Sequence, residues 1–213
     1  MSFNKPILWN FYRGASWRVR LALAFKKIDY EYRSVNIDKG EQFTKEYEAI
    51  NPNNEIPTLQ IDGYNLTQTM PIIEYLDETR SFEPKLLPSD SYKRCKARSI
   101  AEIINSGMQP YQKIVKRLGK ELGEQEKTKR LELSTKKALK AIESIVAETS
   151  GKYCIGDGIT IADIFLVPAV HTARLQEINL NEYPCLSKII DNLDKLPEVN
   201  QTHPKNQVDY QQS

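Results

Sequence analysis

A natural anion seat in this sequence is Gln68-Thr69, at the junction between a hairpin signal and a helical pattern. A helix start leaves backbone N–H groups unpaired, and these suit a carboxylate. Just upstream, Ile56-Pro57-Thr58 brings a proline to the entry of a strand. A third feature, Thr160-Ile161-Ala162-Asp163, has the spacing of a capping box with Thr160 as N-cap and Asp163 at N3, a folding device. Metal chemistry is poorly provided for. The two histidines, His171 and His203, and the three widely spaced cysteines, Cys95, Cys154 and Cys185, form no CxxC, which speaks against a structural zinc site. An odd number of scattered cysteines also suits a reducing compartment better than a disulfide framework.

The elements that must position these groups change character once along the chain. Residues 6–12, PILWNFY, read as a buried strand, and 17–27, WRVRLALAFKK, as a helix with two lysines where its dipole favours cations. Residues 30–37 read as a strand, and 42–50 as a helical segment. Thr58–Ile61, the turn Asp62-Gly63 and Tyr64–Leu66 form a hairpin. Residues 69–79 form a helix that tolerates Pro71 in its first turn. The order β-α-β-α-β-β-α places Pro57 where the thioredoxin fold uses a cis proline, so Ile56-Pro57 is expected to be cis. A proline-bearing linker follows, and from Ser91 onward the pattern is helical throughout. The fold class is therefore a thioredoxin-like α/β domain over 1–82, a linker over 83–90, and an all-α domain over 91–213.

Composition narrows the function classes. Apolar residues make up 40% and charged residues 27%, an ordinary globular balance. No apolar run approaches the roughly 18 residues of a membrane span, and the start of the sequence has no secretory pattern, so a cytoplasmic protein is expected. Between Lys85 and Lys140 there are 15 Lys/Arg and six Asp/Glu. This excess is spread among helix-spaced apolar residues, without the run of interleaved aromatics that base stacking uses, so it reads as a solvated helix face, not a nucleic-acid surface.

The sequence resembles the cytosolic glutathione transferases, and among them the zeta class. The resemblance runs over nearly the whole chain, through WRVRLAL, INPNNEIPTLQIDG, IIEYLDETR, SGMQPYQ, GKYCIGDGITIADIFLVP and the tail HPKNQVD. It implies a glutathione site. Gln42 matches the glutamine that contacts the glycine end of glutathione. Ile56, before Pro57, matches the residue whose backbone pairs with the cysteinyl backbone, a strand-like recognition indifferent to side chain. Gln68 and Thr69 match the Gln-Ser pair that binds the γ-glutamyl carboxylate, and Gln109 matches a helical-domain glutamine, with Lys113 nearby where zeta members often carry Asn.

At the sulfur the sequence departs from the class. Zeta members carry Ser-Ser-Cys-x-Trp-Arg-Val-Arg, the first Ser reaching the thiol. This chain reads Gly14-Ala15-Ser16-Trp17-Arg18-Val19-Arg20, one residue shorter, with Ser16 its only hydroxyl. Gly14, Ala15, Ser16 and Trp17 remain the expected contacts. Ser16 is the candidate catalytic residue as thiol donor, or alternatively a helix N-cap; Tyr12 is a minor candidate donor, and Trp9 is expected in the core. A free thiol has a pKa near 8.5, and a helix N-terminus and a directed hydroxyl each contribute on the order of 1 kcal/mol toward the thiolate. Loss of the hydroxyl therefore costs at most roughly one to two orders of magnitude.

Two functions follow from the resemblance. One is a glutathione-dependent transferase or isomerase acting on a small, anionic electrophile, such as maleylacetoacetate converted to fumarylacetoacetate in phenylalanine and tyrosine breakdown. Arg13, Arg18 and Arg174 are its candidate cations; zeta members place an arginine one position further on, where this chain has Leu175. His171, on the same helix, reads as packed. The other is a glutathione- or ligand-binding protein with lost or altered catalysis. A homodimer is expected, with Met70 and Tyr92 as candidate contacts.

Overall fold

A computed structural model describes residues 5–80 and 82–210, with the side chain of Lys120 left aside. The chain divides into two compact units: the residues up to Pro84 together with those from Pro197 onward, and Lys85–Leu196. The carboxy-terminal segment, expected in the helical domain, thus belongs to the first unit.

The first unit is built on a four-stranded sheet in the order β2-β1-β3-β4, from β1 (Ile7–Asn10), β2 (Glu31–Ser34), β3 (Thr58–Ile61) and β4 (Tyr64–Thr67). β1 and β2 are parallel, whereas β3 is antiparallel to both β1 and β4. The alternation of β1 sorts its side chains. Trp9 packs with Val35 and Tyr47, and Ile7 joins that cluster, while Leu8 and Asn10 are fully buried. Helix α1 (Ala15–Phe25) packs against α3 (Thr69–Thr79), and α10 (Pro197–Thr202) packs on α1. The helical segment expected at 42–50 resolves into a 3₁₀ turn, Glu41–Phe43, and one α-turn, α2 (Lys45–Glu48), capped by Thr44.

Helix α1 runs two residues earlier than its apolar pattern suggested, because Gly14 takes φ +69°, a conformation that suits glycine and opens the helix at Ala15. Its end also differs. Lys26 does not lie in a solvated last turn. It is fully buried, 2.7 Å from Asp77, and donates to the carbonyls of Arg80, Phe82 and Pro84. A buried ammonium survives only with such partners.

The second unit is helical: α4 (Ser91–Glu102), α5 (Gln109–Arg117), α6 (Gly119–Leu122), α7 (Glu124–Thr149), α8 (Ile161–Leu175) and α9 (Pro184–Leu193), with no named strand among its described residues. Helix α8, almost wholly buried, packs on α4. Its capping box forms as expected: Asp163 accepts from the Thr160 N–H at 2.8 Å and hydroxyl at 2.9 Å, and also from the Cys154 N–H at 2.9 Å. No helix among the described residues is long and apolar enough to cross a membrane.

Candidate active site

The strand register of the first unit assembles the site. Trp9 of β1 pairs with Thr58 of β3, and Thr58 pairs with Thr67 of β4. The end of β1, the start of β3 and the end of β4 therefore lie side by side at one edge of the sheet. From that edge the chain leaves β1 through Phe11–Gly14 into α1, enters β3 through the cis peptide Ile56-Pro57, and leaves β4 through Gln68 into α3. Two helix N-termini and one extended edge converge, and the expected residues Gly14, Ala15, Ser16, Ile56, Pro57, Gln68 and Thr69 come together.

On the α1 side, Gly14 is the N-cap and no side chain caps the helix or places an acid in its first turn, so that end keeps its affinity for an anion. Ser16 is the second helical residue, not the cap. It is fully buried, and its Oγ accepts from the Phe11 N–H at 3.3 Å. That bond uses an acceptor lone pair and leaves the hydroxyl hydrogen able to donate. Trp17 is buried, its indole N–H on Thr202 Oγ1 at 2.9 Å and its ring edge-on to His203, so its side chain is committed to the carboxy-terminal segment. The Trp9 indole N–H is used by Gln60 Oε1 at 2.8 Å. Tyr12 is half-buried; its hydroxyl accepts from Arg13 at 2.6 Å, and its ring meets Tyr210 edge-on. Arg13 also pairs with Asp38, and Arg18 is buried.

The residue that sequence reasoning missed is Arg20. It is fully buried, and it donates to Asn10 Oδ1 and the Phe11 carbonyl, both at 2.9 Å, to the Tyr12 carbonyl at 2.5 Å, and to the Thr202 carbonyl at 3.3–3.4 Å. Burial lowers its pKa, with Tyr32, Tyr30 and Asp209 opposing, and a guanidinium stays charged all the same. Nothing in the spacing of WRVRLAL marks it out from a surface arginine.

The β3 side is held locally. The Tyr47 hydroxyl donates to the Glu55 carbonyl at 2.7 Å and lies 2.9 Å from Thr58 Oγ1. Asn51 Nδ2 donates to the same carbonyl at 2.7 Å and to Thr58 Oγ1 at 3.1 Å, while its Oδ1 accepts from the Asn53 N–H. Burial pushes the Tyr47 phenol pKa up, which keeps it a donor. These bonds fix the carbonyl just before Ile56, and with it the extended edge that Ile56 presents.

At α3, Gln68 takes φ +68° as N-cap without capping the helix through its side chain, and Thr69 is buried. A non-glycine residue in this region costs of order 1–3 kcal/mol, and such positions gather at ligand sites. In the 3₁₀ turn, Gln42 Oε1 is buried and has no hydrogen-bond partner among the described residues. An orphaned buried acceptor of this kind fits a residue that meets a ligand.

In the second unit, Gln109 opens α5 after a π-helical stretch, Ile103–Met108, and is half-buried; Lys113 is exposed on the same helix. Arg174 is exposed and engaged by both carboxylate oxygens of Asp194, as a solvated-face residue would be. Leu175 is exposed, and His171 is half-buried with its pKa lowered by burial and by Arg174.

Comparison with known proteins agrees with this geometry. Residues 5–78 match the family description "Glutathione S-transferase, N-terminal domain", and 108–201 match "Glutathione S-transferase, C-terminal domain". The chain is 41% identical to maleylacetoacetate isomerase of Mus musculus, over 98% of this chain and 97% of that one. Among solved structures, a bacterial maleyl pyruvate isomerase, described as a zeta-class glutathione S-transferase, superposes with a TM-score of 0.90 at 31% identity, covering 96% of this chain and 100% of the other. The maleylacetoacetate isomerase of Anaeromyxobacter dehalogenans with glutathione in its active site gives 0.86 at 34% identity, over 97% and 98%.

Proposed function

Given that this chain belongs to the glutathione S-transferase family, in its zeta class, we propose that it is a glutathione-dependent isomerase of small anionic electrophiles, with maleylacetoacetate as the substrate type. The observation that carries the reading is the convergence, at one sheet edge, of the α1 start, the Ile56-Pro57 edge and the Gln68-Thr69 helix start. These three features suit an extended peptide bearing a carboxylate at one end and a thiol in its middle.

In this reading Gln68 and Thr69 seat the γ-glutamyl carboxylate at the α3 N-terminus, Ile56 pairs through its backbone, and Gln42 takes the glycine end with the side chain whose Oε1 is otherwise orphaned. When bound, glutathione supplies a thiolate that adds to the conjugated cis double bond and leaves after rotation, which returns the trans isomer and the cofactor. The chain holds that sulfur ionised. The positive end of α1 favours the anion, and the Ser16 hydroxyl, whose oxygen accepts from the Phe11 N–H, keeps a hydrogen able to donate. Arg13, beside the loop, is the candidate cation for a substrate carboxylate, in exchange with Asp38. A cytoplasmic homodimer completes the proposal, with exposed Tyr92 among its contacts; light scattering at the mass of one 24.5 kDa chain would contradict the dimer.

Turnover of maleylacetone in the presence of glutathione tests the function. Isomerisation that requires glutathione and rises with a thiol ionisation below that of the free tripeptide supports it. The alternative, a binding protein with lost catalysis, is favoured by the Gly14-Ala15 departure, and retention on immobilised glutathione without turnover of maleylacetone or a haloacid would establish it in place of the isomerase.

A further inference from the structure

We propose that Arg20 is a positioning residue for thiol activation: it locks the backbone between β1 and α1 so that the start of α1 faces the sulfur. Phe11–Gly14 has no regular secondary structure, and its shape is held by the bonds its carbonyls accept. Two of those carbonyls, Phe11 and Tyr12, are taken by the two terminal nitrogens of one guanidinium. The same fork reaches back to Asn10 Oδ1, at the end of β1, and across to the Thr202 carbonyl at the end of α10. Asn10 in turn donates to the Leu8 carbonyl at 3.1 Å. The guanidinium spreads its five donors over a rigid plane, so the four oxygens are held in one fixed geometry and not merely gathered around a point charge.

All of these acceptors are neutral oxygens. Among the described residues no carboxylate hydrogen-bonds Arg20, though Asp209, Tyr30 and Tyr32 act on it through space, so it is a buried positive charge whose fork lies against the loop that leads into α1. Its field adds to that of α1 in favour of an anion there. The arrangement also explains how a loop one residue shorter than the class pattern keeps its place. The strand end, the loop and a segment some 180 residues away are tied to a single side chain.

The inference rests on the proposed thiol chemistry, so its test separates the two. In Arg20→Gln, which removes charge and fork, kcat for maleylacetone at neutral pH should fall ~10–100-fold and the apparent thiol pKa should rise by about one unit, while the glutathione KM stays within ~3-fold. Arg20→Lys, which keeps the charge, should recover part of the loss in both kcat and pH profile. Amide hydrogen exchange over residues 11–16 should quicken in either variant with no substrate present, so the locking role is read even if maleylacetone is not turned over. Arg20→Lys is the informative variant if Arg20→Gln does not fold. Unchanged loop exchange, or a folded Arg20→Lys with wild-type kcat and pH profile, overturns the assignment.

Discussion

The two sides of the site are held in opposite ways. The β3 side, Asn51–Thr58, is fastened by neighbours: Tyr47 and Asn51 both donate to the Glu55 carbonyl and both reach Thr58 Oγ1. The α1 side, Phe11–Ser16, is fastened from a distance through Arg20, whose far anchor is Thr202. In the proposed reading the local side presents backbone to the tripeptide, a task that needs only the right shape. In the same reading the remote side places N–H groups and a hydroxyl against one sulfur atom, where a misplacement of 1 Å can cost on the order of 100-fold in rate. Affinity and rate should therefore respond separately to changes on the two sides.

Asn51→Ala should produce the largest effect outside Arg20. It removes a buried hydrogen bond donated to Thr58, a partly buried one donated to Glu55 and one accepted from Asn53. A loss of about 2–3 kcal/mol in unfolding free energy is expected, with the glutathione KM raised ~10-fold or more and kcat within ~3-fold. Denaturant melts and initial rates measure both, and an equal fall in kcat would erase the division of labour. Ser16→Ala is its counterpart. It should leave glutathione affinity nearly unchanged and lower the neutral-pH rate about tenfold, for a rise of about one unit in the thiol pKa. It also takes the acceptor from the Phe11 N–H, at roughly 1 kcal/mol of stability. A rate unchanged beside a lowered Tm would make Ser16 purely structural.

Gly14→Ser bears on whether the class hydroxyl can be put back. There is open space around the position, yet φ is +69°, which an L-residue adopts only with strain. The substitution should cost about 1–2 kcal/mol in a thermal or denaturant melt without raising the rate. A gain in activity would show that the loop can relax into the longer-loop arrangement.

The same contrast explains what was legible in the sequence. Local devices are readable because their signals are contiguous: the turn at Asp62-Gly63, the capping box at Thr160 and Asp163, the cis bond at Ile56-Pro57 from element order, and the helix start at Gln68-Thr69. The remote devices are not. Arg20 and Lys26 carry the residue types of a solvated helix face, and only the tertiary structure shows that each is buried among carbonyls. The return of residues 197–210 to the first unit leaves no mark in hydrophobic period, since its contacts run through Thr202 to Trp17 and Arg20, and through Asp209 to Tyr32 and Ser34. The sequence leaves Ser16 as a donor or a cap. It caps nothing, because glycine at 14 could open the helix one residue before it.

Thiol activation by the α1 side can be measured directly, by thiolate absorbance of the wild-type complex with glutathione across pH. Activation predicts an apparent pKa at least about one unit below the ~8.5 of a free thiol. A complex whose thiol titrates together with free glutathione would contradict it, and would leave the site a binder of the tripeptide that does not ready its sulfur.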